Sequence, residues 1–292
     1  METFLQLTAI GVGNGAVYAL LALGFVIIYK STGAINFAHG SFVLLGGFVV
    51  ALLKDDLGWP MAVLAGITTA GLGAVLIERA LVSRARLATH ESLALMTIGI
   101  DVIVSQEILR RLALSTPYLG DPYDTLTLRI GDIVLFRTQF WAAVVAVILT
   151  GAFFLAFRYS EWGISMRALS EDREAAALVG IRSSLVTASS WCVAGLLAGI
   201  AAVFIATQDF GGAGLGQGTH AAALVAFPAA IIGGMDSTLG AIFGALIVGL
   251  TQVYSGHYIG FDFAKSAVFI VMLIVLIARP SGLFGGRVVH RV

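Results

Sequence analysis

The sequence predicts an all-α integral membrane protein, a single domain over residues 1–292 with about nine membrane-spanning helices. Of its 292 residues, 59% are hydrophobic and only 12% are charged, whereas a soluble domain has roughly a quarter charged residues. The uncharged runs 3–29 and 183–208 are both longer than the roughly 20 residues that a helix needs to cross a hydrocarbon core. A transmembrane β-barrel would alternate apolar and polar residues, and these runs do not.

Nine apolar segments are predicted to span the membrane, within a range of eight to ten. They lie at Leu7–Tyr29, Ala38–Leu53, Pro60–Ile77, Leu93–Leu112, Gln139–Phe157, Leu185–Thr207, Thr219–Met235, Leu239–Tyr254 and Phe263–Ala278. Small residues at helical spacing predict close packing in the third span (Gly66, Ala70, Ala74) and the eighth (Gly240, Gly244).

The basic residues predict the orientation, because 11 fall on one side of this arrangement and 6 on the other. An excess of Lys and Arg marks the cytoplasmic side. The N-terminus is then outside and the C-terminus is cytoplasmic. An external loop covers 114–138, where 126–136 has strand-like composition around a Gly131-Asp132 turn, and a cytoplasmic loop covers 158–184. The first eight residues lack the basic segment of a cleaved signal peptide, so the first span is expected to remain.

Charge and cysteine content exclude some classes of function. The formal net charge is zero, so no nucleic-acid partner is expected. Cys192 is the only cysteine and lies in an uncharged run, which excludes a disulfide or a cysteine metal cluster within the chain.

A faint internal repeat occurs at an offset of 178 residues. It aligns Gly33 with Gly211, Gly40 with Gly218, and Ser41 with Thr219. With five spans before the cytoplasmic loop, the two copies run in opposite directions. Inverted repeats of this kind are common in transporters, which carry the substrate path near the interface between the copies.

The segment Gly33-Ala-Ile-Asn-Phe-Ala-His-Gly40 places Asn36 and His39 at or near membrane depth. Irregular backbone is tolerated there only if it is buried in protein or lines a watery cavity. One hypothesis is a pathway segment whose free amides, with the helix start after Gly40, bind a carboxylate. The other is an ordinary cytoplasmic turn in which Asn36 and His39 are satisfied locally.

The fourth span carries Thr97, Asp101 and Ser105 on one helix face. A charge near the centre of a span costs at least about 2.5 kcal/mol, so Asp101 is expected to face the interior, paired or protonated. It is either a pathway or gating residue, or a partner in an interhelical ion pair or hydrogen bond.

The cytoplasmic loop predicts a short helix from about Glu171 to Val179. Glu171, Asp172 and Glu174 suit its first turn, and Gly180 is a stop signal. The helix either lies on the membrane surface or docks onto a protein partner, and its acidic start favours the partner.

Three motifs resemble the H-type permeases of branched-chain amino acid ABC importers. Glu174-Ala175-Ala176 followed three residues later by Gly180 is similar to the EAA loop of ABC importer membrane subunits. The stretch from Tyr18 to Ser41, which contains Gly33–Gly40, and the ending Arg279-Pro-Ser-Gly-Leu-Phe-Gly285 resemble the H-type subunit. The similarity runs from about Gly11 to Gly285, and Asp101 stands where this family leads us to expect a neutral residue.

The resemblance implies a vitamin B12-transporter-like (type II) importer fold in the bacterial inner membrane, working by alternating access. The chain would pair with a second, M-type permease subunit, two cytoplasmic ATPases and a periplasmic or lipid-anchored substrate-binding protein. The ATPases would bind ATP and Mg, since this chain has no Gly-x-x-x-x-Gly-Lys-Ser/Thr motif, needs no cofactor and is not itself an enzyme. The residues implied for coupling to the ATPases are Arg167, Asp172, Glu174, Ala175, Ala176 and Gly180. The candidates for the translocation pathway, from the repeat geometry, are Asn36, His39, Asp101, Gln217 and Thr219.

Three alternative functions remain at this point. The same type of complex would carry urea, short amides or other small amino acids. A proton-coupled secondary transporter would use Asp101 and His39 and would need no ATPase. A membrane-embedded enzyme would need a cluster of paired acids or histidines within the bundle, and the sequence provides none.

Overall fold

The computed structural model describes residues 2–85, 89–113, 119, 127–130, 133–206 and 215–286. Within these ranges the chain is helical apart from one hairpin. The helices are α1 (Glu2–Thr32), α2 (His39–Leu57), α3 (Trp59–Ala80), α4 (His90–Leu112), α5 (Arg137–Tyr159), α6 (Glu161–Glu171), α7 (Arg173–Leu178), α8 (Ser183–Ile205), α9 (Gln217–Gly233), α10 (Thr238–Tyr258) and α11 (Phe263–Ala278). Every predicted span coincides with one of these helices, and the ends agree to within five residues.

Six helical segments are long and apolar enough to cross a membrane: α1, α3 with the following 3₁₀ turn, α4, α5, α8 and α10. Helices α9 and α11 are apolar but shorter, and the last turn of α2 carries Lys54, Asp55 and Asp56. The described residues therefore form a helical membrane bundle, and the count of nine spans stays a prediction.

The hairpin lies in the predicted external loop. Strands β1 (Thr127–Ile130) and β2 (Ile133–Phe136) pair antiparallel with Ile130 opposite Ile133. This confirms the strand prediction for the described residues. The predicted turn residues Gly131 and Asp132 lie outside them.

Helix α1 is the centre of the bundle. It packs against α5, α8, α9 and α10, and its residues from Val17 to Ile28 are almost wholly buried. A helix that is apolar on every side can be accommodated only where it is surrounded, which explains this position. In contrast, α3, α4 and α5 expose large apolar side chains such as Leu72, Ile103 and Val147 on their outer faces. We expect such faces to contact lipid or the helices of a partner subunit.

Small residues let the helices cross at close range, as predicted for α3 and α10. A Cβ added at Gly66 would lie 2.5 Å from the Gly46 carbonyl oxygen of α2. A Cβ at Gly244 would lie 2.9 Å from the Gly233 nitrogen of α9. Neither position has room for a side chain, so these backbones are in direct contact.

Helices recur along the chain at similar offsets, since the starts of α1 to α4 precede those of α8 to α11 by 173 to 181 residues. Helix α2 starts at His39 and α9 at Gln217, 178 residues later. If α1–α4 are aligned with α8–α11, the contact of α1 with α10 corresponds to the contact of α8 with α3. Likewise α2 contacts α3 and α4, while α9 contacts α10 and α11. The starts of α2 and α9 meet in the bundle, and this contact positions the polar cluster described next.

Candidate functional site

The glycine segment is a turn between α1 and α2, held by side chains. Gly33 has a φ of 72°, and its N–H donates to the Tyr29 carbonyl over 2.7 Å. The Asn36 Oδ1 accepts from the Ala38 N–H at 3.0 Å, an Asx turn that leads into α2. The Thr97 hydroxyl of α4 accepts from the Phe37 N–H at 3.0 Å. The sequence did not indicate that α4 fixes this turn.

Asn36 and His39 are both buried inside the chain, with 1% and 0% exposure. The His39 ring packs 4.7 Å from the Phe25 ring, beside Gly24, where a Cβ would lie 2.6 Å from the His39 Nε2. The Leu21 backbone also lies beside the ring, yet neither His39 nitrogen, nor the Asn36 Nδ2, has a hydrogen-bond partner of good geometry among the described residues. The local turn therefore provides hydrogen bonds for only some of the polar atoms of Asn36 and His39.

Asp101 is hydrogen-bonded to two other helices. Its Oδ1 accepts from the Ser41 hydroxyl of α2 at 2.6 Å. Its Oδ2 lies 2.9 Å from the His220 Nε2 of α9. The two side chains of this pair are 13% and 18% exposed. The expectation that Asp101 faces the interior with a partner is confirmed, and the partner is His220.

Gly40 makes the approach of His220 possible. A Cβ at Gly40 would lie 2.9 Å from the Cδ2 and Nε2 of His220. His39 does not share this pair, because its ring faces α1 and not α4. Position 220 follows directly on Thr219, so the repeat placed it near α2, but nothing in its own spacing singled it out.

The other predicted pathway residues lie at the start of α9. Gln217 is exposed, whereas Thr219 is 2% exposed and its hydroxyl lies 3.4 Å from the Gly216 nitrogen. The aligned Gly211 lies outside the described residues. The described part of the chain has no group of three or more His, Cys, Asp or Glu residues that could hold a metal ion.

The loop that is predicted to be cytoplasmic contains two helices where the sequence predicted one. Glu171 ends α6, and Asp172 is the N-cap of α7, where its Oδ1 accepts from the Glu174 and Ala175 N–H groups at 2.9 Å. Gly180 ends the turn after α7 with a φ of 87°. Its N–H donates to the Ala177 carbonyl, and the Ile181 N–H donates to the Ala176 carbonyl, which is a Schellman motif.

Two predicted coupling residues face inward. Ala176 is 4% exposed, because one side of the short helix α7 packs on the bundle, so it is not a surface for the ATPase. The Arg167 guanidinium donates to the Phe157 carbonyl and, at 3.4 Å, to the Arg158 carbonyl, and thus caps the end of α5. Arg167 therefore positions the loop from within the chain.

Arg173 links the loop to the glycine turn. Its Nη2 donates to the Ser31 carbonyl over 2.5 Å, two residues before Gly33. Cavities of about 630 Å³ and 850 Å³ lie on either side of this contact, and Arg173, Thr32 and His90 line both. The loop is thus in direct contact with the end of α1, next to the turn between α1 and α2.

Comparison with known proteins identifies the family of this bundle. Residues 7–278 match the family model described as the branched-chain amino acid transport system permease component. The chain belongs to this permease family. It is 28% identical over 306 residues to the high-affinity branched-chain amino acid transport system permease protein LivH of Escherichia coli K12, covering 99% of this chain and 98% of LivH. No solved structure gives a significant match.

Two further relatives align with this permease over most of the length of both chains. BraD of Pseudomonas aeruginosa, also named a high-affinity branched-chain amino acid transport permease, is 27% identical over 99% of this chain and 98% of BraD. A probable LivH permease of Methanocaldococcus jannaschii is 27% identical over 91% of this chain and 88% of the relative. The permease is a transport component and a multi-pass protein of the inner membrane.

The most exposed apolar residues on the loop of this permease were missed by the sequence reasoning. Leu178 is 89% exposed and Val179 is 77% exposed, and they begin two residues after Ala176. They were missed because the EAA pattern includes Glu174, Ala175, Ala176 and Gly180 but neither Leu178 nor Val179. The exposed pair could have been found from its position at the end of a six-residue helix, outside every apolar span.

Proposed function

We propose that the chain is the H-type permease subunit of an ABC importer that carries branched-chain amino acids across the inner membrane. The observation that carries the proposal is the position of α7, an exposed helix outside the spans that is hydrogen-bonded through Arg173 to Ser31 at the glycine turn. A displacement of α7 by an ATPase would therefore move the segment that precedes α2.

The ATPase contact would lie on the exposed face of α7. Leu178 and Val179 would insert into a groove of the ATPase, since apolar side chains this exposed gain most from a partner. Asp172, Glu174 and Ala175 surround them and are also exposed. Gly180 sets the direction in which the chain leaves the helix, and Arg167 and Ala176 act from inside the chain. Each nucleotide state of the ATPases would favour one conformation of the permease.

The pathway would run past the starts of α2 and α9. The similar offsets and the matching helix contacts support an inverted repeat of α1–α4 and α8–α11, which is the arrangement of the type II fold with nine spans. Gln217 would face the pathway, because it is exposed beside the Asp101–His220 pair. Thr219, Asn36 and His39 are buried, so they would support the residues that line the pathway.

The complex would contain an M-type permease subunit, two cytoplasmic ATPases that bind ATP and Mg, and a periplasmic or lipid-anchored binding protein. The distribution of basic residues supports an external N-terminus and a cytoplasmic C-terminus, which places α7 on the side of the ATPases.

The test is uptake of radioactive leucine by proteoliposomes that hold the assembled complex, with the binding protein added outside and ATP on the ATPase side. We expect ATP-dependent uptake that excess isoleucine or valine abolishes and that urea, acetamide and glycine leave unchanged. Competition by urea or amides alone would instead assign the complex to that substrate class. Uptake without ATPases that an uncoupler abolishes would assign it to proton-coupled transport through Asp101 and His220, and would contradict the proposal.

A further inference from the structure

A cluster of cations surrounds one aromatic ring at a membrane boundary of the bundle. The Lys30 Nζ lies 5.5 Å and the Arg167 Cζ 5.3 Å from the centre of the Phe157 ring. Arg158 adjoins the same ring in sequence and is exposed. Lys30 ends one span and Arg158 another, since these spans are Thr3–Thr32 and Arg137–Tyr159. The cluster therefore lies where the hydrocarbon core meets the polar interface, whichever side that is.

These cations form no close ion pair with an acid. Within the described residues, no carboxylate oxygen lies within 4.0 Å of Lys30, Arg158 or Arg167. Asp236 lines the same cavity, and its Oδ2 already accepts from the Gly286 N–H at 2.8 Å. Asp236 and Glu171 act on Lys30 electrostatically from beyond that distance. Lys30 is only partly exposed, so it loses hydration without gaining a close ion pair. Three basic residues against two acids leave an excess of one positive charge, which suits an anion.

Charged and apolar side chains line the same cavity. Its volume is about 510 Å³, and it opens between the end of α5 and the start of α10. Lys30, Arg158 and Arg167 contribute positive charge, and Phe154, Leu239 and Phe284 contribute apolar surface, beside the polar residues Asp236, Ser237 and Thr238. The Phe284 ring also stacks on Phe243 at 5.1 Å, and both side chains are 49% exposed. A free phosphate would use only the cations, whereas a lipid would use the cations and the apolar surface.

We propose that this cavity is a binding site for one anionic phospholipid, with the phosphodiester between Lys30, Arg158 and Arg167 and an acyl chain along Leu239, Phe243 and Phe284. Basic pockets between membrane helices bind anionic headgroups, because each nearby cation adds attraction. The site requires only that the bundle lies in a bilayer, so it does not depend on which substrate the permease carries.

The site also gives a role to the ending Arg279–Gly285. This segment returns to the bundle, where the Leu283 and Phe284 N–H groups donate to the Ile232 and Gly233 carbonyls at 2.8 and 3.0 Å. The contact holds Phe284 beside Phe243. The lipid would thus bridge α5 and the chain that follows α11.

The experiment uses the assembled complex, stripped of lipid by detergent exchange and then given equal amounts of phosphatidylglycerol and phosphatidylcholine. Native mass spectrometry counts the lipids retained. We expect the wild type to retain phosphatidylglycerol in preference, and Lys30→Gln with Arg158→Gln to lower that preference about tenfold. Lys265→Gln, which removes an exposed lysine at the start of α11, is the matched control and should behave as the wild type.

Equal retention of both lipids by the wild type, or an unchanged preference in the double variant, would overturn the proposal. Arg158→Gln alone changes an exposed side chain that the fold does not need, so it gives the same answer if the double variant is poorly folded. A separate arm adds inorganic phosphate to the stripped complex. If phosphate displaces the bound lipid or stabilises the complex as strongly as phosphatidylglycerol does, the site is for a soluble anion and the lipid assignment is wrong.

Discussion

Arg173 of α7 donates a hydrogen bond to the Ser31 carbonyl at the end of α1, over 2.5 Å. The two residues are 142 apart in sequence and belong to the loop and the central helix of the bundle. A charged donor on a carbonyl, partly buried, is among the stronger hydrogen bonds of a protein. It joins α7 directly to the end of α1, two residues before Gly33.

Replacing this arginine is expected to uncouple the complex. Arg173→Gln removes a hydrogen bond from a charged donor, which contributes about 1.5–3 kcal/mol to whichever state forms it. Leucine uptake and substrate-stimulated ATP hydrolysis in proteoliposomes should both fall about tenfold or more, with the ATPases still bound. Arg182→Gln removes an exposed arginine nearby and should have no effect. Equal activity of the two variants would show that the contact does not transmit motion.

The exposed pair on the loop is expected to hold the ATPases. Leu178→Ser with Val179→Ser removes apolar surface that has no partner within the chain, so the permease itself should keep its stability. Co-purification of the ATPases should be lost. Ile164→Ser on α6 removes a 54% exposed apolar side chain from the same loop and serves as the control. Normal co-purification of the double variant would place the ATPase contact elsewhere.

Gly40 is expected to tolerate no side chain. In Gly40→Ala the new Cβ would lie 2.9 Å from the His220 ring, which must move away from Asp101. Overpacking of this kind costs about 1–3 kcal/mol. The melting temperature in detergent and the rate of uptake should both fall. In Gly99→Ala the new methyl meets nothing within 4 Å, so stability should be unchanged or slightly higher. Identical melting of the two variants would argue against tight packing at Gly40.

The Asp101–His220 pair is expected to be energetically coupled. Removing one partner leaves the other poorly satisfied in a half-buried site, at a cost of about 3 kcal/mol. Asp101→Ala and His220→Ala should each lower the free energy of unfolding, and the double variant should lose at least about 1 kcal/mol less than the sum of the two. Chemical unfolding in mixed micelles measures this. Strict additivity would mean that the pair contributes nothing as a pair.

The proposed topology predicts labelling from opposite sides. Single cysteines replace Thr127 of β1 and Ser170 of α6 in a Cys192→Ala background, and both positions are exposed. A membrane-impermeant maleimide added to intact cells should label the residue 127 variant, and the residue 170 variant should react only in inverted vesicles. Labelling of both variants from one side would contradict the proposed number of spans between them.

Local signals in the sequence predict the membrane bundle and the positions of its helices. Runs without charge and without alternation satisfy the backbone in lipid as helices, so the predicted spans match the helices to within five residues. Local signals also sufficed for the strands within 127–136 and for the helix end at Gly180, because such features depend on residues close in sequence.

Which side chains contact one another depends on how the helices pack. Asp101 was predicted to have a partner, but His220 lies 119 residues away on another helix, and no periodicity relates the two. Three other contacts likewise arise from how α6 and α7 pack on the bundle. Ala176 faces inward, Arg167 caps the end of α5, and Arg173 contacts Ser31. Helix formation is governed by neighbours along the chain, whereas side-chain partners are governed by the crossing of helices, and small residues such as Gly40 set how closely these cross.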